Sequence, residues 1–182
     1  MSETDRIFLD NAATSFPKPE SVYVAVDRYH RESGVPVGRG AYEQAVDVQS
    51  TVNLCRKRAA SILGAESPDR VIFTFNGTDS LNLAIHGLLL QKGDHVVTST
   101  VEHNSVLRPL RELNLRHGVE VTYVRADETG LIDATDIRTA IRPNTKLVAL
   151  IHVSNVSGTI QPIEDVGEIA RNAGALFLVD AA

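Results

Sequence analysis

Several apolar runs in this sequence are each followed, within a few residues, by a polar side chain of a type that binds ligands or does chemistry. These residues are Thr78, His103, Asn155 and Asp180. A hydroxyl and an amide can hydrogen-bond a ligand, an imidazole can stack on it or exchange a proton, and a carboxylate can pair with a cation. Ligands of open parallel α/β sheets bind beyond the carboxyl ends of the strands, so we expect these residues to meet at one edge.

Thr78 opens a helical segment after the turn Asn76-Gly77. A helix N-terminus has unpaired N–H groups and the positive end of the helix dipole, which with a threonine hydroxyl suits a phosphate. The same residues are also typical of an ordinary threonine N-cap, so both interpretations stay open at this point.

His103 and Asn155 each lie in a strand-to-helix turn. The imidazole of His103 could stack on a flat heteroaromatic ring, act as acid or base, or bind a metal, or it could be a surface group. The amide of Asn155 could donate to a phenolate-like oxygen, or Asn155 could simply be a turn residue.

Asp180 ends the apolar run ALFLV at 175–179. A carboxylate there must be solvated or paired with a cation, because burying it unpaired costs several kcal/mol. One suitable cation is a protonated pyridine nitrogen, and pyridoxal phosphate enzymes use an acid in that position.

The elements that position these residues alternate between strand and helix. The apolar runs, mostly without polar alternation, predict a sheet with both faces covered. The helices show apolar residues at helical spacing, and several end at a glycine. The fold class predicted is α/β, with a mostly parallel sheet. The strands are predicted at 71–75, 95–99, 119–124, 146–151 and 175–179, and the helices at about 19–33, 42–63, 78–91, 105–117, 133–141 and 163–173.

Composition excludes several classes of function. The net charge of the 182 residues is −5, and no stretch gathers Lys and Arg as nucleic-acid binding requires. No apolar run reaches the roughly 18 residues of a membrane span. Cys55 is the single cysteine, so no internal disulfide can form, and the acidic start MSETDRIFLD is unlike a secretory signal. The sequence therefore predicts a cytoplasmic protein with neither nucleic acid nor membrane as partner.

Six segments together resemble, in order, the N-terminal part of the class V aminotransferases, specifically the cysteine desulfurase family. They are IFLDNAATSFPKPESV, GRGAYEQA, NGTDSLNLAIHGL, GDHVV with VEHNSVLRP, HVSNVSGTIQPI and LFLVDAA. The resemblance covers nearly the whole chain. It implies a three-layer α-β-α fold of the fold-type I pyridoxal phosphate enzymes, a homodimer, and pyridoxal 5'-phosphate as cofactor with no metal.

The resemblance also implies a role for individual residues. Gly77 and Thr78 match the phosphate anchor, His103 the ring that stacks on the cofactor, Asn155 the amide beside its phenolic oxygen, and Asp180 the partner of its pyridine nitrogen. Asn11, Ala12 and Ala13 match a segment near the substrate, and Arg39 matches a loop at the mouth of the site. Residues 1–40 are accordingly expected to contribute to the active-site region, and 41–182 to form part of the cofactor-binding domain.

The family's cofactor-binding lysine, a nearby glutamine, a sulfur-accepting cysteine and a substrate-binding arginine find no match here. Cys55, within a predicted helix, is expected to be a packed residue and not that cysteine. We therefore expect the 182 residues to be a truncated segment, with the sheet incomplete toward its C-terminus. Such a segment would bind the cofactor poorly and would not turn over.

The activity implied is removal of sulfur from L-cysteine to leave alanine, with a sulfur-acceptor protein as a possible partner. Selenocysteine lyase or transamination of a small amino acid remains open within the same class. Two alternatives from other classes are a metalloenzyme using His103, His152 and Asp180, and a non-catalytic interaction module.

Overall fold

The computed structural model describes residues 7–182, which form two compact units. The first unit ends at Phe73, and the second runs from Thr74 to Ala182. The predicted division at residue 40 concerns roles in the active site and stays a prediction. The helices are α1 (Glu20–Arg28), α2 (Glu43–Leu63), α3 (Gly77–Gly87), α4 (Asn104–His117), α5 (Ala134–Ala140) and α6 (Ile163–Asn172), and the strands are β1 (His95–Ser99), β2 (Glu120–Val124), β3 (Thr145–Ile151) and β4 (Leu176–Asp180).

The first unit contains the two helices predicted before the strand–helix repeats. α1 continues as a π-helical turn, Tyr29–Ser33, and stops at Gly34 with φ of +59°. α2 stops at Gly64 with φ of +65°. Both glycines take the left-handed conformation that commonly ends a helix, which glycine adopts without a Cβ penalty. Across residues 7–182, no helix has both the length and the apolar character needed to cross a bilayer.

The second unit is built on a four-stranded sheet in the order β2-β1-β3-β4. All three strand pairs are parallel, as predicted. Each crossover contains a helix, as parallel strands require. The last residue pair of the β3–β4 ladder joins Ile151 to Asp180, so these two strands end side by side.

Helices cover both faces of this sheet, which confirms the three-layer arrangement. Alternate residues of β3 show the division: Leu147 and Ala149 belong to a core with α3 and α4, whereas Val148 and Leu150 belong to a core with α5 and α6. Side chains of successive strand residues point to opposite faces, so a strand buried on both sides is apolar throughout.

The predicted strand at 71–75 is wrong. Val71 has extended backbone, with φ of −92° and ψ of 117°, yet within residues 7–182 no strand pairs with this segment. Phe75 is accordingly 97% exposed. Apolar and β-branched composition favours an extended chain, but a strand also needs a neighbour to complete its hydrogen bonds. The helix predicted to reach residue 91 ends at Gly87, and Leu89, beyond that end, has φ of +50° and is exposed.

We predict that Leu110→Ala destabilises the second unit by about 3 kcal/mol, because Leu110 is fully buried and truncation leaves a cavity. Leu115→Ala is the matched control, since Leu115 lies on the same helix and is 71% exposed. Urea unfolding monitored by circular dichroism measures both. Equal losses of stability in the two variants would contradict the described packing of α4.

Candidate functional site

The carboxyl ends of β3 and β4 meet at one edge of the sheet, next to the beginning of α3. The backbone N–H of His152, just after β3, donates to the carbonyl of Asp180 at 2.8 Å. A Cβ added to Gly77 would lie 3.4 Å from the Cβ of Ala182. The first residue of α3 therefore lies in contact with the segment that follows Asp180.

Asp180 is a buried carboxylate, with only 6% of the residue exposed. Its Oδ1 accepts a hydrogen bond from the backbone N–H of Ala182 at 3.2 Å. Among residues 7–182, no Lys, Arg or His side chain forms an ion pair with it. Because burying a carboxylate without a cation is costly, this position favours a ligand that brings a positive charge.

The beginning of α3 offers unpaired hydrogen-bond donors. Asn76 is the N-cap, and its side-chain oxygen accepts from the N–H of Asp79 at 2.9 Å. The alternative that Thr78 is the cap is therefore wrong. Within the described part of the chain, the N–H groups of Gly77 and Thr78 donate to no other residue. These two groups remain available to a ligand at the N-terminus of an 11-residue helix.

Thr78 and His103 lie on the same cavity, which has a volume of about 370 Å³. His103 is the N-cap of α4, and its Nδ1 accepts from the N–H of Ser105 at 3.2 Å. The hydroxyl of Ser105 lies 2.8 Å from His103 Nδ1 and 2.8 Å from Thr78 Oγ1. Ser105 thus joins two predicted site residues. No signal in the sequence identifies it, because the bond to Thr78 spans 27 positions.

Glu102 is a second buried acid near this edge, at 6% exposure. The hydroxyl of Ser99, at the end of β1, donates to its Oε1. Burial, with a smaller contribution from the nearby charge of Asp180, raises the pKa of Glu102 to about 7, against the opposing hydrogen bonds from Ser99 and the backbone of Ile151. The carboxyl group next to His103 in sequence therefore changes protonation near neutral pH.

The other predicted site residues lie in the turn after β3 and in the first unit. Asn155 is exposed in the turn after β3, and within residues 7–182 its amide has no hydrogen-bond partner. In the first unit, the side chain of Asn11 accepts from the N–H of Phe16 at 3.3 Å. Ala12, Ala13 and Arg39 are exposed in the same unit. The roles of these residues near the substrate stay predictions.

The metal site considered from the sequence does not form. Residues 7–182 contain no cluster of three His, Cys, Asp or Glu side chains that could hold a metal ion. His103, His152 and Asp180 therefore do not form such a cluster. A larger cavity of about 790 Å³ lies beside α5 and α6, and no predicted site residue lines it.

Comparisons with known proteins agree with the fold and with the predicted family. The family model for class-V aminotransferases matches residues 7–182. A probable cysteine desulfurase of Methanothermobacter thermautotrophicus is 39% identical over 178 residues, which is 98% of this chain and 44% of that protein. The cysteine desulfurase IscS of Methanosarcina thermophila is 37% identical over 183 residues, which is 99% of this chain and 44% of that protein.

Solved structures give the same result. The apo structure of a cysteine desulfurase from Thermococcus onnurineus NA1 matches with a TM-score of 0.88 and 36% identity, over 95% of this chain and 43% of that one. The protein SspA in complex with cysteine matches with a TM-score of 0.87 and 37% identity, over 95% of this chain and 50% of that one. The chain thus spans less than half the length of the curated relatives it matches. The chain belongs to the class-V aminotransferase family.

Proposed function

We propose that this chain forms the cofactor-binding part of a pyridoxal phosphate-dependent cysteine desulfurase. The observation that carries the proposal is the buried carboxylate of Asp180, which has no basic partner among residues 7–182 and lies beside the start of α3. The chemistry of the surrounding donors fits the cofactor at three points, which are its pyridine nitrogen, its phosphate and its ring.

Asp180 would hold the pyridine nitrogen in its protonated form. A buried carboxylate gains most from a partner that is itself cationic and removed from water. When bound, pyridoxal phosphate supplies a sink for the electrons of a substrate bond at Cα, and the protonated nitrogen makes it a better sink. In this proposal Asp180 contributes by holding one proton at one atom.

Thr78 and Gly77 would hold the phosphate. Two N–H groups without partners in the described chain, one hydroxyl and the positive end of the α3 dipole converge there.

His103 would stack on the cofactor ring, and Asn155 would donate to its phenolic oxygen. His103 lines the same cavity as Thr78, so a molecule anchored at Thr78 is within reach of the imidazole. Together with Asp180, these residues would restrict the ring to one plane and one orientation, which lowers the entropic part of the reaction barrier.

We propose L-cysteine as the substrate. The reaction transfers the sulfur atom of L-cysteine to an acceptor thiol, which becomes a persulfide, and leaves L-alanine. Support comes from the relatives named cysteine desulfurase and from the SspA structure solved with cysteine. Selenocysteine and other small amino acids remain the alternative substrates. A homodimer, a sulfur-acceptor protein and a cytoplasmic location complete the proposal as predictions.

Thr78→Val tests the phosphate anchor. We expect the dissociation constant of pyridoxal 5'-phosphate to rise about tenfold, because the variant loses a hydrogen bond to a charged group worth roughly 1.5 kcal/mol. Fluorescence titration of this chain with the cofactor measures the change. Thr139→Val is the control, since Thr139 is an exposed threonine on α5, outside the cavity. A chain that shows no saturable binding, or equal losses in both variants, would refute the proposed anchor.

A further inference from the structure

Ser105 is a buried serine between the two residues assigned above to the phosphate and the ring. It is only 6% exposed, and its hydroxyl lies within hydrogen-bond distance of both Thr78 and His103. Asn82 of α3 donates to the carbonyl oxygens of Thr78 at 2.9 Å and of Ser105 at 3.5 Å, which ties the two helix starts together. The hydroxyl of Ser105 is therefore held in a fixed position between its two neighbours.

The direction of each hydrogen bond follows from the backbone. The N–H of Ser105 points at Nδ1 of His103 at 3.2 Å, and an N–H can only donate. Nδ1 must therefore present a lone pair, so a neutral ring carries its proton on Nε2. In the contact between Ser105 Oγ and Nδ1, the hydroxyl of Ser105 must therefore be the donor. Because its only proton is used there, Ser105 accepts in its contact with Thr78, and the hydroxyl of Thr78 is the donor.

This arrangement conflicts with a bound phosphate. The unprotonated oxygens of a phosphate group, three in a phosphate monoester dianion and three in inorganic hydrogen phosphate, accept hydrogen bonds and donate none, whereas Thr78 in this state directs its proton to Ser105. To bind phosphate, Thr78 must turn its proton to the anion. The contact between the two hydroxyls then lacks a proton unless Ser105 rotates its own from His103 to Thr78. Only two hydroxyl rotations are involved, and no covalent bond forms or breaks.

We propose that Ser105 is a positioning residue that couples occupancy of the phosphate site at Thr78 to the hydrogen bonding of the His103 ring. In the empty site the serine hydroxyl and its own backbone N–H both hold Nδ1. With a phosphate at Thr78, only the backbone N–H holds the ring, which is then freer to settle on the plane of the cofactor. This coupling rests on the proposed phosphate site.

The test follows Nδ1 of His103 by ¹⁵N NMR in this chain, labelled at histidine, with inorganic phosphate as the probe. In the unsubstituted chain we expect phosphate to move the Nδ1 signal downfield, toward a nitrogen with fewer donors. In Ser105→Ala the signal starts near that position and phosphate does not move it. We expect Ser105→Thr, which keeps the hydroxyl, to show the same phosphate-dependent shift as the unsubstituted chain. Ser61→Ala is the control, since Ser61 is exposed on α2, and it should also keep the shift.

A parallel titration with pyridoxal 5'-phosphate separates failure of the coupling from failure of the proposed function. Loss of one neutral hydrogen bond to Thr78 predicts about fivefold weaker cofactor binding in Ser105→Ala. Cofactor binding without any phosphate-dependent change at Nδ1 overturns the coupling and leaves the proposed function intact. An equal change in Ser105→Ala also overturns it. No binding of either ligand by the unsubstituted chain overturns both.

Discussion

Replacing Asp180 with Ala is expected to lower the desulfuration rate about 10²–10³-fold, because the variant loses the charge that the proposal assigns to the pyridine nitrogen. Cofactor affinity is expected to fall far less, by about tenfold, since Thr78 and His103 would still hold the phosphate and the ring. Turnover of L-cysteine by the catalytically active protein, and cofactor content of the same samples, measure the two effects separately.

Asp180→Asn adds a variant of nearly the same shape. It keeps an oxygen that can accept from the N–H of Ala182 but carries no charge. We expect it to fold like the parent and to lose turnover as Asp180→Ala does. Asp47→Asn, at an exposed position of α2, is the control for the substitution itself. Near-normal turnover in either Asp180 variant would show that its charge has no part in the reaction.

Glu102→Gln is expected to remove a pH dependence of stability. Burial raises the pKa of Glu102 from 4.5 in the unfolded chain to about 7 in the folded one. Between these pH values the folded state keeps a proton that the unfolded state has lost. The free energy of unfolding therefore decreases as the pH rises from 4.5 to about 7, by at most about 3 kcal/mol. Above about pH 7 Glu102 causes no further decrease. A glutamine cannot ionise, and its side-chain oxygen can still accept from Ser99.

Urea unfolding at pH 5, 6, 7 and 8 measures this effect. We expect the difference in stability between Glu102→Gln and the parent to grow in favour of the variant from pH 5 to pH 7 and then to level off. Glu128→Gln, at an exposed loop position, is the matched control. Identical pH curves for Glu102→Gln and the parent would show that Glu102 does not ionise with a raised pKa in the folded chain.

The strands were predictable from composition where a partner strand within the described chain forms hydrogen bonds with them. HVVTS and KLVALI lie in the middle of the sheet and are buried on both faces, so their composition identified them nearly to the residue. VIFTF has the same kind of composition and forms no strand in the described chain. The difference is a partner strand, which depends on contacts distant in sequence that local composition does not encode.

The candidate site could be proposed from the sequence only where its residues follow strands. The rule that ligands bind beyond the carboxyl ends of parallel strands selected His103 after β1 and Asp180 at the end of β4. It selected Thr78 only through the predicted strand at 71–75, which does not form in the described chain. The same rule says nothing of how side chains on different helices meet. The bond from Ser105 to Thr78 and the effect of Asp180 on Glu102 depend on the packed structure. Composition alone also does not identify the N-cap of α3, because Asn76 and Thr78 are both good capping residues and only the backbone decides between them.

The most direct test of the account is the protonation state of the cofactor's ring nitrogen when it is bound to this chain. Pyridoxal 5'-phosphate labelled with ¹⁵N at that atom reports the state by its chemical shift. The account predicts a protonated nitrogen at pH 8 in the parent chain and an unprotonated one in Asp180→Asn. An unprotonated nitrogen in the parent, or the same shift in both proteins, would contradict the role assigned to Asp180.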